Sequence, residues 1–248
     1  MLDRCDAVIL DLDGVVTDTA SLHRQAWKEL FDDYLQARSA RDGRSYPPFD
    51  ATDYVELVDG KPRHEGTRSF LASRGISLPE GGADAEPTEE SIAGLGRRKD
   101  AIFKRLLSEQ GVRVFPDAVE QLERWRRRGL KLALVSASKN AGRVLEAAGL
   151  AELFDLVLDG QAAERQGLSG KPAPDAFLHA AQALGVEPSR AAVIEDALAG
   201  VEAGRRGQFA AVIGVARHGG AGRLREAGAH RVVRGLDELE PGDDVVHG

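Results

Sequence analysis

The sequence predicts a doubly wound α/β fold: a parallel-sheet core interrupted once by an inserted helical domain. Three observations carry that prediction. Short apolar runs recur without polar alternation, the pattern of strands buried on both faces. Amphipathic helical segments stand between them, so successive strands are joined by right-handed crossovers. Between about Ala20 and Val112 no run of this kind occurs, which sets that stretch apart.

The strand candidates, in order, are Ala7-Val8-Ile9-Leu10, Leu132-Ala133-Leu134-Val135, Leu156-Val157-Leu158, Ala192-Val193-Ile194 and Ala210-Ala211-Val212-Ile213. A helix is expected from Pro116-Asp117, with Val119, Leu122 and Trp125 on one face and Gly129 closing it. Asn140 is placed to cap the next helix, which ends near Gly149. A third begins at Pro174-Asp175, turns Phe177, Leu178, Ala181 and Leu184 inward, and stops at Gly185. Within the insertion, Trp27, Leu30, Phe31 and Leu35 share a helical face, and further helical pattern covers Thr67 to Leu71 and Ile102 to Leu107. Gly81 to Glu90 is expected to be a surface loop, and the chain past Glu240 to fray. The expected domains are 1–19 with 114–248 for the core and 20–113 for the helical insertion.

Bulk properties narrow the function. The 248 residues carry 33 basic and 40 acidic side chains, a net charge of -7, which argues against a general nucleic-acid binder. Cys5 is the single cysteine, so no intramolecular disulfide and no zinc-thiolate cluster can form. No apolar run approaches the ~20 residues of a membrane helix. Met1 to Asp6 is polar, unlike a signal peptide. A soluble cytoplasmic protein, monomeric and acting on a small molecule, is expected.

Polar residues recur where the strand candidates end. Asp11 and Asp13 follow the first, Ser136 the second, and Glu195-Asp196 follow Val193-Ile194. Open α/β sheets bind ligands outside those ends. A carboxylate such as Asp11 can attack phosphorus and form an acyl phosphate. A cation must then offset its repulsion from the phosphate. Mg²⁺ prefers hard oxygens, and Asp11, Asp13, Glu195 and Asp196 are the candidate ligands. Asp13 can protonate a leaving oxygen and deprotonate an incoming one. Ser136 and Lys171 can hold phosphoryl oxygens. Each has a plainer alternative: turn residues for the aspartates, a helix-start acid pair for Glu195-Asp196, a helix cap for Asn140.

Asp11-Leu12-Asp13-Gly14-Val15-Val16-Thr17-Asp18-Thr19, Val135-Ser136-Ala137-Ser138-Lys139-Asn140, Gly170-Lys171-Pro172-Ala173-Pro174-Asp175 and Ile194-Glu195-Asp196-Ala197-Leu198-Ala199-Gly200 resemble, in order, the four motifs of the haloacid dehalogenase-like superfamily. The Gly-Val and Thr-Asp-Thr of the first motif and the Ser-Ala-Ser-Lys-Asn of the second are similar to the β-phosphoglucomutase branch. So are His23 and Trp27, the run Gly60-Lys61-Pro62-Arg63, and the basic pair Arg98-Lys99. The segments Ala37 to Ala51 and around Asp84 are longer than that branch leads one to expect. The resemblance implies a Mg²⁺-dependent isomerase with a resting phosphate on Asp11, converting β-glucose 1-phosphate to glucose 6-phosphate through a bisphosphate. It makes the insertion a cap, with His23, Arg63, Lys99, Ser138, Lys139 and Asn140 as substrate-binding residues. Trp27 is expected to pack and Cys5 to be a small buried residue. The competing readings are a sugar-phosphate phosphatase of the same superfamily and a catalytically idle binding protein. The presence of Asp13 and Asp196 disfavours dehalogenation, which needs neither. Asp13 also stands against phosphonate cleavage.

Overall fold

The computed structural model describes residues 2–58, 63–82, 84–217 and 219–239; Gly60-Lys61-Pro62 and the tail past Glu240 lie outside them. The chain forms two compact units, residues 1–19 with 112–248 and residues 20–111. It starts in the first unit with β1 (Ala7–Leu10), turns through β2 (Thr17–Asp18), and enters the second.

There α1 (Ala20–Asp42), α2 (Ala51–Asp53), α3 (Arg63–Ser73) and α4 (Ile92–Gln110) follow. α1 turns Leu22, Ala26, Trp27, Leu30, Phe31, Tyr34 and Leu35 inward, the three- and four-residue spacing of one helical face. Phe31 stacks on Phe70 of α3 at 3.9 Å between ring centroids, and Phe49 meets Phe70 edge-on at 5.2 Å. Arg74 closes this core from the side. Its guanidinium bonds both carboxylate oxygens of Asp53, at 2.5 Å for the shorter, and lies 4.5 Å over the Phe70 ring. The polar stretch after Gly43 contains α2, capped by Asp50, and a short π-helical turn at Tyr54–Val58.

The chain returns through β3 (Arg113–Val114), antiparallel to β2, then α5 (Pro116–Arg127), β4 (Lys131–Val135), α6 (Ala141–Ala148), β5 (Leu156–Leu158), α7 (Gly160–Arg165) and α8 (Asp175–Ala183). It ends with β6 (Ala191–Glu195), α9 (Leu198–Arg206), β7 (Ala211–Val215), α10 (Ala221–Glu226) and β8 (Arg231–Val233). Six strands make one parallel sheet in the order β5-β4-β1-β6-β7-β8. The order runs outward both ways from β1, the mark of a doubly wound fold.

Every residue of β1, β6 and β7 is buried, which accounts for their unbroken apolarity; Glu195 is the one charged residue among them. Ile9, Ala133, Val135 and Val193 pack with Phe177 and Ala180 of α8 and Val201 of α9 on one face. Val8, Leu10, Leu132 and Leu134 alternate with them and are fully buried, with Leu122 and Trp125 of α5 also fully buried. β8 carries none of the expected signal, because it is a three-residue edge strand, only half-buried, that opens on Arg231. Among the described residues, no helix is long and apolar enough to cross a membrane.

Candidate active site

Sheet register assembles the site. Leu10 of β1 is level with Leu134 of β4 and Ile194 of β6. The next residues along the three strands, Asp11, Val135-Ser136 and Glu195, therefore emerge together at the carboxyl edge. The Asp11 N–H extends the ladder by donating to the Ile194 carbonyl at 3.0 Å.

Asp11 is 8% exposed and both its oxygens are engaged. Oδ1 accepts from Lys171 Nζ at 2.5 Å, and Oδ2 from the Asp13 N–H at 2.9 Å. The chain then folds on itself. The N–H groups of Val16 and Thr17 both donate to the Leu12 carbonyl, at 2.9 and 3.0 Å, and the Gly14 N–H donates to the Thr17 carbonyl at 2.8 Å. Gly14 sits at φ +82°, and a β-carbon there would collide with the Asp196 carboxylate, so glycine lets the turn lie against that acid. The buried Thr19 hydroxyl donates to Asp13 Oδ1 and fixes its carboxylate.

Lys171 bridges two motifs. It sits in the loop before α8, with its ammonium 5.0 Å from the centroid of the Phe177 ring, and bonds both Asp11 and Glu195. Desolvation opposes its charge, yet the two carboxylates outweigh it and push its pKa above the usual lysine value. Glu195 is 1% exposed, with one oxygen on Lys171 and the other accepting from the Ala197 N–H at 2.7 Å. Burial raises its pKa, Lys171 pulls it back and Asp11 adds to the rise. Asp196 keeps an exposed edge. Desolvation by the atoms crowding it, then the charges of Glu195, Asp11 and Asp13, push its carboxyl well above the ordinary aspartate value. The charges are the firmer cause, since the exposed edge moderates desolvation.

Glu195 and Asp11, both candidate metal ligands, share the Lys171 ammonium between them. Among the described residues, no three His, Cys, Asp or Glu side chains are grouped to hold a metal. Mg²⁺ is commonly held by one or two carboxylates with waters completing its shell. The pair Asp11 and Asp196 meets that requirement. The chemistry of the donors also fits, since Asp196 lies among the like charges of Glu195, Asp11 and Asp13, and Lys171 pairs with only two of these acids.

Ser136 is buried beyond β4, and its hydroxyl accepts from the Ser138 N–H at 3.1 Å; the Ser138 hydroxyl accepts in turn from the Asn140 N–H at 3.2 Å. Asn140 occupies the N-cap position of α6, but its side chain makes no cap bond, because its backbone at φ -109°, ψ 8° departs from the extended cap geometry. The residue is instead buried. Lys139 points outward and pairs with Glu164 at the surface.

The second unit gathers its own cluster. Lys99 is only 4% exposed, 5.2 Å from the centroid of Trp27 and 5.0 Å from that of Phe103. Its ammonium lies 2.6 Å from His23 Nδ1, and the imidazole stacks on Phe103 at 4.3 Å. An ammonium only donates, so Nδ1 accepts and the ring proton belongs on Nε2. Desolvation, then the charges of Lys99 and Arg63, hold the His23 pKa well below the ordinary histidine value, against the pull of Asp100. Arg63 pairs with Asp100 at 2.8 Å, and Asp100 also pairs with Lys104 at 2.7 Å. Trp27 packs as expected and Cys5 is buried. Phe103 and Asp100 carry no motif of their own, since their parts depend on residues distant in the chain; Thr19 closes the first motif, but its bond to Asp13 depends on a turn that only the fold defines.

Residues 5–208 match the haloacid dehalogenase-like hydrolase family. The chain is 47% identical over 241 residues to the β-phosphoglucomutase of Mycobacterium tuberculosis, covering 96% of this chain and 92% of that one. It is 28% identical over 232 residues to a phosphorylated carbohydrates phosphatase of Thermotoga maritima, covering 92% and 94%. The solved β-phosphoglucomutase structure of Clostridium difficile superposes with a TM-score of 0.70 at 28% identity, covering 95% of this chain and 93% of that one. With four ordered motifs, a sheet that brings them to one edge, and this similarity along nearly its whole length, the chain belongs to the haloacid dehalogenase-like hydrolase family, in the branch that holds the β-phosphoglucomutases.

Proposed function

We propose that this chain is a Mg²⁺-dependent phosphomutase that interconverts β-glucose 1-phosphate and glucose 6-phosphate by way of an aspartyl-phosphate on Asp11. The observation that carries the chemistry is the engagement of Asp11 at the end of β1, one oxygen on Lys171 and the other on the Asp13 N–H. In-line attack by an Asp11 oxygen on the phosphorus of a donor forms the acyl phosphate. The same step in reverse delivers the phosphoryl group to a sugar hydroxyl. Asp13 takes the proton from that hydroxyl as the O–P bond forms and returns it to the oxygen that leaves. Lys171 and the Ser136 hydroxyl offset charge on the equatorial oxygens, and Glu195 steers Lys171. Mg²⁺, held by Asp11 and Asp196, would supply the charge neutralisation that lets a phosphate approach this group of carboxylates.

The remaining residues are assigned to substrate recognition. Arg63 suits the non-reacting phosphate, since a planar guanidinium binds a phosphate through two parallel bonds. Drawing it from Asp100 leaves no bare charge, because Lys104 still pairs with Asp100. Ser138 and Asn140 are assigned to the second motif's side of the site, and Lys139 would reach substrate by leaving its surface pair with Glu164. Lys99, buried among aromatics, acts on substrate through His23, whose tautomer it sets. The enzyme is read as a cytoplasmic monomer, in keeping with its polar composition.

Isomerase activity is favoured over hydrolysis by the similarity to the M. tuberculosis mutase, and the phosphatase reading retains the T. maritima relative in its support. The test is an NMR time course with β-glucose 1-phosphate, Mg²⁺ and catalytic glucose 1,6-bisphosphate, run beside Asp11→Asn. Glucose 6-phosphate should accumulate with little free phosphate, and the variant should do neither. Phosphate release as fast as isomerisation would replace the mutase with the phosphatase, and an active Asp11→Asn would remove the nucleophile.

A further inference from the structure

Arg217 follows β7 at the same carboxyl edge of the sheet and belongs to none of the four motifs. Its side chain is 10% exposed. Four of its five N–H groups are spent inside the first unit. Nε donates to the Gly14 carbonyl at 3.2 Å and Nη2 to the Val15 carbonyl at 2.9 Å. Nη1 and Nη2 also grip the two oxygens of Asp117 at 3.0 and 2.9 Å. Asp117, in the first turn of α5, accepts in addition from the Leu236 N–H at 2.7 Å. The guanidinium carbon stands 3.7 Å from the centroid of Phe115, whose N–H donates to the Val16 carbonyl at 3.1 Å.

The partners share one feature. Gly14 and Val15 form the turn between Asp13 and the β2–β3 ribbon, and Gly14 is the residue against which Asp196 rests. Phe115 leads out of the same ribbon. We propose that Arg217, held by Asp117, is a positioning residue: it fixes the Gly14 and Val15 carbonyls, and thereby the placement of the Asp13 and Asp196 carboxylates relative to Asp11. The inference rests on the reading of Asp11 and Asp13 given above. A buried ion pair contributes little net stability compared with apolar packing of the same volume. What a bidentate fork adds is direction, and here the direction is set onto two successive carbonyls of a catalytic turn. A lysine at 217 would present one ammonium and could not span both carbonyls and the carboxylate together.

The test uses the full chain with Arg217→Met, Arg217→Lys and Asp117→Asn, each read by steady-state isomerisation and by amide hydrogen exchange resolved to peptides. Displacing catalytic groups by about 1 Å costs on the order of 10²-fold in rate. Both Arg217 variants should therefore lose roughly 10²-fold in kcat while KM for the hexose phosphate changes by less than about threefold, as for an interaction that serves the transition state alone. Exchange should rise at residues 12–18 and stay at the wild-type level in β6. Asp117→Asn should fall between wild type and Arg217→Lys in both measurements. Wild-type kcat in Arg217→Lys, slowed catalysis with unchanged exchange at 12–18, or exchange raised equally throughout the unit would each overturn the proposal. If Arg217→Met does not fold, Arg217→Lys and Asp117→Asn carry the test. Absence of phosphoryl transfer in the wild type would defeat the proposed function instead, and the exchange pattern at 12–18 would still decide the role of Arg217.

Discussion

Replacing Lys171 by Met removes the one cation between two buried carboxylates. The side chains involved are 13% exposed for Lys171, 11% for Asp11 and 1% for Glu195. Breaking a buried pair by deleting one partner costs about 3–5 kcal/mol, because the other charge is left uncompensated. Glu195 keeps its bond from Ala197 and can take up a proton, so the lower end, about 3 kcal/mol, is expected near pH 8. For a unit of this size that is a fall of roughly 6–12 °C in Tm. The pH dependence gives the reasoning its edge. Without Lys171, the Glu195 pKa in the folded state lies above its unfolded value, so the folded chain binds a proton more readily than the unfolded one. That protonation stabilises the variant at low pH and is lost as pH rises through the folded pKa. The penalty relative to wild type should therefore shrink as pH falls from 8 towards 5, by at most about 1.4 kcal/mol per pH unit. Urea unfolding of Lys171→Met, Glu195→Gln and the double variant at both pH values measures it. The double variant should be more stable than the sum of the single effects, by about 1–3 kcal/mol of coupling. A Lys171→Met protein within about 0.5 kcal/mol of wild type at high pH, a pH-independent penalty, or additive single effects would each refute the account.

Chelation of Mg²⁺ should abolish isomerisation, and Asp196→Ala should raise the Mg²⁺ needed for half-maximal rate by more than about tenfold; full activity of chelated enzyme would remove the metal. Arg63→Ala should slow isomerisation by about 10²-fold while hydrolysis of acetyl phosphate, which has no second phosphate to hold, changes by less than about threefold. An equal fall in both rates would show that Arg63 does not act on the distal phosphate. His23, held neutral beside Lys99, Arg63 and Asp100, has a folded-state pKa below its unfolded value of about 6.5. Below that pH the unfolded chain takes up a proton that the folded chain declines, so stability should fall by up to about 1.4 kcal/mol per pH unit, an acid sensitivity that His23→Gln should lack. Matching Tm slopes for the two proteins between about pH 7 and 5 would show His23 to titrate normally.

The central strands were legible because burial on both faces leaves an unmistakable composition. Ala7–Leu10 coincides with β1, and the β4, β5, β6 and β7 runs fall within two residues of their observed bounds. The helices of the insertion were legible from the spacing of Trp27, Leu30, Phe31 and Leu35. Illegibility came with shortness and exposure. β2 and β3 hold two residues each, and their pairing of Thr17 with Val114 spans the whole insertion. α2 is a three-residue turn whose reason for existing, the capping of Asp50 against Asp53 and the grip of Arg74, is visible only once residue 74 lies beside residue 53. Composition registers what a residue is buried in, and these segments are defined by what they are bonded to.

The same distinction runs through the site. The gathering of Asp11, Asp13, Ser136, Glu195 and Asp196 was legible because each follows a strand, and a parallel sheet delivers its strand ends to one edge whatever the details, with Lys171 joining them from its Gly-Lys-Pro loop. Their division of labour was not. Glu195 and Asp196 are neighbours in sequence with one chemistry, yet β6 ends between them. Glu195 keeps the inward pitch of the strand and meets Lys171, while Asp196 turns outward onto Gly14. Asn140 shows the converse, since a cap residue in a cap position has a backbone that does not let it cap. Arg217 is the extreme case. A basic residue after a strand, followed by Gly219 and Gly220, looks like a solvated loop charge, and its partners Gly14, Val15 and Asp117 lie 100 or more residues away. Its burial against Phe115 and its four directed N–H groups come from the fold alone. A motif thus names the groups that gather at the sheet edge, whereas the groups that hold them there are found by asking where the carbonyls of the turn after Asp13 send their bonds.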